Sequence, residues 1–94
     1  MWQKARVLSG HQDEGKVIWV QAEKPAAITG IDILTGMIGS KEAYVTNIWV
    51  DGRPVMIVRD CVELLGGEGA FAEGVEAEER THEEFVRDGL PAAR

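Results

Sequence analysis

Two apolar, β-branched runs, Tyr44 to Val50 and Val55 to Val58, flank Asp51-Gly52-Arg53-Pro54, and no other feature constrains the fold of this chain as strongly. An Asp-Gly pair between such runs marks a β-hairpin, because glycine supplies the positive φ that a tight turn demands. Pro54 opens the second run, where a missing N–H does least harm to a ladder. Earlier segments carry the same signature. From Lys4 to Leu8 the residues alternate, with Ala5 and Val7 on one side and Lys4, Arg6 and Leu8 on the other. Lys16 to Ala22 is apolar on both sides, Val17 and Trp19 against Ile18, Val20 and Ala22, more than a strand buried on one face needs. Cys61 to Leu65 predicts a short closing strand or a single helical turn.

The loop between the first two runs reads Gly10-His11-Gln12-Asp13-Glu14-Gly15-Lys16-Val17. It has the spacing of a phosphate-binding loop up to its last position, where Val17 replaces the serine or threonine that would hold a metal ion. Such a loop must open a helix whose first amides face the phosphates. Here Val17-Ile18-Trp19-Val20 follows, which is strand chemistry, and Asp13 and Glu14 put negative charge where donors are needed. The loop therefore joins two strands.

Glu23-Lys24-Pro25 is expected to end the second strand, because proline cannot donate to a ladder. Residues 26–40 are ambiguous. Ala27, Ile31, Leu34 and Ile38 have helical spacing, whereas Ile31 and Ile33 alternate with Gly30 and Asp32 as a strand would. Gly30, Gly36 and Gly39 each cost a helix about 1 kcal/mol relative to alanine. The composition favours a strand from about Ile28 to Leu34 and then a glycine-rich loop, with a helix as the alternative.

Charge is unevenly placed. Residues 1–65 carry seven Lys or Arg and eight Asp or Glu, whereas residues 66–94 carry three and eight. Neither part has the positive excess that drives phosphate-backbone binding, so nucleic acid is disfavoured as a partner. No run approaches the roughly 18 apolar residues of a membrane span, and Met1-Trp2-Gln3-Lys4 lacks the apolar core of a signal peptide. With a single cysteine, Cys61, unable to form an internal disulfide, the expected compartment is the cytoplasm, with no membrane partner. Gly66-Gly67 and Gly69 mark the end of a first unit, residues 1–65, and the start of a glycine-rich linker and acidic tail, residues 66–94. In that tail Gly74, the glutamates after it, Gly89 and Pro91 predict a helix over about 75–88, docked through Phe71, Phe85 and Leu90 or partly frayed.

Five or so short strands in the first 65 residues point to a small barrel of the SH3-like kind. Ala5-Arg6-Val7-Leu8-Ser9-Gly10 followed by Gly15-Lys16-Val17 resembles the KOW motif, in which strand, glycine turn and strand open such a barrel. The resemblance implies a contact with RNA, DNA or the transcription and translation machinery through the loop, at Gly10, His11, Gln12, Gly15 and Lys16. Asp13 and Glu14 depart from that pattern and favour a protein surface instead.

No catalytic constellation can be assembled. His11 with Asp13 and Glu14 lacks a second histidine and a cleft, and reads as a solvated loop. Glu78 and His82 stand four apart on the expected tail helix, a spacing that allows metal binding but equally fits a solvated face. Cys61, between Asp60 and Glu63, lacks the basic neighbour that activates a thiol and reads as a small core residue. The three tryptophans, Trp2, Trp19 and Trp49, together with Phe71 and Phe85, are the candidate partner-binding residues. The expected protein is a mainly β, SH3-like five-stranded barrel with an acidic helical tail, without cofactor or metal. Its expected role is a non-catalytic module for a protein partner or its own copy. The alternatives are a KOW-like nucleic-acid module and a small enzyme with a site between subunits.

Overall fold

The computed structural model describes residues 1–8, 14–31 and 34–88. The chain is mainly β. Strand β1 spans Trp2–Val7, β2 Val17–Ile31, β3 Ile38–Val50, β4 Arg53–Val58, β5 Val62–Leu64, β6 Phe71–Ala72 and β7 Glu78–Arg80; a short helix, α1, spans His82–Asp88. The sheet runs β4-β3-β2-β1-β5, with β6 also on β1 and β7 on β3. It is open, so the expected closed five-stranded barrel is corrected: β4 and β5 are its two edges, joined by one turn of 3-10 helix, Arg59–Cys61.

Alternation sets the inner face. Ala5, Val7, Ile18, Val20, Tyr44, Ile48, Ile57 and Val62 form one buried cluster, with Ala22, Val55, Cys61 and Phe85 packed against it. Residues from both edge strands, Ile57 of β4 and Val62 of β5, share that cluster, so the sheet curls around its core without a ladder closing it. The ladders of β3 are interrupted around Thr46 and Asn47. The β3–β4 register shifts between Val45 and Trp49. There the buried Thr46 hydroxyl donates to the Val55 carbonyl at 2.9 Å and accepts from the Ile48 N–H at 3.2 Å. On the other flank Asn47 Oδ1 accepts the Trp19 backbone N–H at 3.2 Å. Side-chain bonds thus stand in for ladder bonds where the backbone departs from its neighbours.

The Asp-Gly hairpin is present as expected. Asp51 at φ 50° and Gly52 at φ 80° make the turn between Val50 and Arg53. The first hairpin closes through Gly15 at φ 88°, whose N–H donates to the Val7 carbonyl at 2.8 Å.

Several expectations are corrected. Pro25 does not end β2. The β2–β3 register shifts between Gln21 and Ala26 and then resumes from Ala26↔Ala43 to Ile31↔Ile38. Pro25 therefore falls in an irregularity, and beyond Val20 the β1 ladder no longer flanks β2, so its missing N–H breaks no bond. The strand expected from about Ile28 to Leu34 is present in part: β2 continues through Ala26 and Ile28 to Ile31, Leu34 lies in the turn, and residues 38–40, expected as loop, return as β3. Gly66 to Gly69 form an excursion in one edge of the sheet: Leu65 donates to the Lys4 carbonyl before it and Lys4 donates to the Ala70 carbonyl after it, both at 2.9 Å. The tail helix begins later than expected. Glu78–Arg80 is strand, paired parallel to Ile48–Val50 in the place that β2 vacates. Helix α1 is capped by Thr81, whose hydroxyl accepts the Glu84 N–H at 3.2 Å. Residues 89–94, including Leu90 and the expected stop at Gly89 and Pro91, lie outside the described residues.

Candidate interaction surfaces

Because Ala5, Val7, Ile18, Val20, Thr46 and Ile48 face the core, the residues between them face outward. That outer face carries Trp2, Lys4 and Arg6 on β1, Val17 and Trp19 on β2, and Trp49 on β3. Lys4 pairs with Trp19 across the ladder, and its ammonium stands 5.4 Å from the ring centroid. Such a contact is worth about 0.5–1 kcal/mol at an exposed site. Arg6 reaches Glu63 at 3.7 Å. All three tryptophans are half-buried, and none belongs to the core cluster. They rim the sheet rather than fill it.

The other predicted residues separate. Phe71 is half exposed on β6, whereas Phe85 turns from α1 onto the core. Gly15 makes its turn and Lys16 is half-buried beside it; Gly10, His11 and Gln12 lie outside the described residues. Cys61 is partly buried, and burial, with Asp60, pushes its thiol above the ordinary range while Lys41 opposes the shift. Among the described residues no three His, Cys, Asp or Glu side chains gather as a metal site would require.

One surface had no counterpart in the sequence reading. Past Ala26 and before Ala43, β2 and β3 leave the body of the sheet as a two-stranded arm, Ala27–Ile31 against Ile38–Glu42. Its tip is apolar and open to solvent: Leu34 is 95 %, Met37 69 % and Ile38 72 % exposed. Where the arm meets the body, Ser40, Lys41, Glu42, Arg59 and Asp60 line a recess of about 420 Å³. Arg59 is engaged there by Glu42 at 2.6 Å, and this hydrogen bond holds its guanidinium above its ordinary pKa. The recess thus offers no spare cation from Arg59. The clue in the sequence was the pair of apolar segments around Gly36, visible as composition but not as a ribbon until the register was known.

Among the described residues no helix is long and apolar enough to cross a membrane. The chain matches no protein-family model, no curated protein and no solved structure.

Proposed function

We propose that the chain is a non-catalytic binding or assembly module of the SH3-like small-β kind, which engages a protein surface through the β2–β3 arm. The observation that carries this is the apolar tip. Large apolar side chains scattered singly on a surface are ordinary, but Leu34, Met37 and Ile38 are grouped at the end of one projecting element. Burying such a side chain is worth about 1.5–3 kcal/mol, and a two-stranded ribbon is marginal in water without something packed on it. A partner would supply both.

The test is a photo-crosslinking residue at position 37, compared with one at position 17 on the outer face, in the native host. A tip-borne reading expects a discrete adduct from position 37 and little from position 17. Absence of any adduct at 37, with a strong one at 17, would move the binding surface to the tryptophan face.

That face supports the second reading, a KOW-like contact with single-stranded nucleic acid. Lys4 over Trp19, with Trp2 beside them, interleaves aromatic and basic groups in the manner of a stacking platform. Retention of an RNA or DNA oligonucleotide that falls steeply with salt would favour it, and no retention at low salt removes it.

A further inference from the structure

We propose that residues 75–88 are a displaceable strap, the chain's own occupant of a strand-receiving slot on β3, and that the slot accepts an extended peptide of a partner protein in its place. The slot is a property of the body. The β2–β3 ladder begins at Val20↔Thr46, whereas Val17, Ile18 and Trp19 pair in the ladder with β1, so Ile48–Val50 of β3 has no partner from β2. What covers that stretch is in the structure. Glu78–Arg80 lies parallel on Ile48–Val50, and Phe85, five residues further on, packs on the core. This is strand addition with a side-chain anchor, a mode of peptide recognition, carried out within one chain.

Three observations separate the strap from the body beneath it. Its grip is short and long-bonded: beyond the ladder at Glu78–Arg80, the Asp51 N–H donates to the Arg80 carbonyl at 3.3 Å and Asn47 Nδ2 to the Glu76 carbonyl at 3.5 Å. By comparison, Gly15 donates to Val7 at 2.8 Å and Leu65 to Lys4 at 2.9 Å within the body. Its side chains add little. Glu76 through Glu79 and Thr81 through Glu84 are exposed, which leaves Val75, Arg80 and Phe85 partly buried. A segment with so few buried apolar contacts opens at a fraction of the global unfolding free energy. Its charge does not hold it either: six glutamates and one arginine lie between residues 73 and 84, over a body that is itself slightly acidic.

The same features define the partner. Backbone pairing along Ile48–Val50 sets no sequence, whereas the place that Phe85 takes on the core asks for an aromatic side chain at that spacing. A peptide with fewer carboxylates than the strap meets less repulsion and displaces it. This surface is separate from the arm and does not depend on it.

The test uses the full chain and a fluorescein-labelled peptide of residues 75–88, read by fluorescence polarisation. A tethered strap competes at roughly millimolar effective concentration, so the wild type should bind the peptide weakly. Two variants loosen the strap. Phe85→Ala withdraws the anchor, and Glu78→Pro removes an N–H that faces β3, because the Arg80 carbonyl two residues on faces it too. Each should bind the peptide about ten-fold or more tightly than the wild type, as the open fraction rises. A peptide with alanine in place of its phenylalanine should compete less well, and Met37→Lys at the arm tip should change nothing. In the wild type, hydrogen exchange should find the Asp51 and Phe85 amides opening together, faster than the amide of Val20 in the body. Asp51 and Phe85 amides as slow as Val20 would make the strap a fixed part of the fold and overturn the proposal. So would loosened variants that keep the wild-type circular dichroism yet bind no more peptide, or a peptide that binds equally well without its phenylalanine.

Discussion

Thr46 and Asn47 bridge the interruption in the β3 ladders with side-chain hydrogen bonds. The Thr46 hydroxyl is 1 % exposed and serves both Val55 and Ile48. Thr46→Val keeps the shape but strands both backbone groups, so stability in urea should fall by about 1–3 kcal/mol. Ile48→Ala, at the centre of the cluster, should cost about 2–5 kcal/mol through lost burial and the cavity left behind. Equal midpoints for wild type and Ile48→Ala would mean that the cluster is not the core. Cys61 gives a chemical check. Its raised pKa follows first from burial and then from Asp60, so near neutral pH it should react with a thiol reagent more slowly than the unfolded chain does. The sign of the linkage is fixed: the protonated thiol is favoured in the fold, so this contribution is full below the unfolded pKa and is lost as pH rises through the folded one. Reaction as fast as in denaturant would place Cys61 outside the packed region.

At the scale of elements, what was legible in the sequence was local. Asp51-Gly52 announced its hairpin because the turn's backbone demand is written in two adjacent residues. The alternation of Ala5 and Val7 with Lys4 and Arg6 announced β1. What depended on pairing between distant residues was hidden. Pro25 reads as a terminator unless one knows that β1 has already left β2 there. The glutamates at 78 and 79 read as a helix start unless one knows that β3 offers a vacant ladder beside Ile48 and Trp49. One local signal was passed over: Thr81 followed three residues later by Glu84 is the capping-box spacing, and it marks the true start of α1. Thr81→Ala should therefore remove about 1 kcal/mol locally. Faster exchange of the Phe85 amide, which bonds to the Thr81 carbonyl at 2.9 Å, would report it. Unchanged exchange there would mean the cap is not what holds the helix on the core.

For the whole molecule, the separation between a curled body and a projecting arm matters most. The body buries its apolar side chains in one cluster and keeps its tryptophans at the rim; the arm carries an apolar tip with no core beneath it. Candidate residues named from composition fell on both sides of that division. Trp2, Trp19 and Trp49 share the outer face, Phe85 is spent internally, and Leu34, Met37 and Ile38 were not singled out, because exposure is a property of the assembled sheet and not of the residue. The most direct measurement is amide hydrogen exchange of the chain, alone and with the host protein that position 37 crosslinks. Binding through the arm predicts that protection over residues 27–31 rises with the partner present while the amides of Lys4 and Trp19 in the body do not change. Protection that is the same throughout, or that rises on the tryptophan face instead, would contradict it.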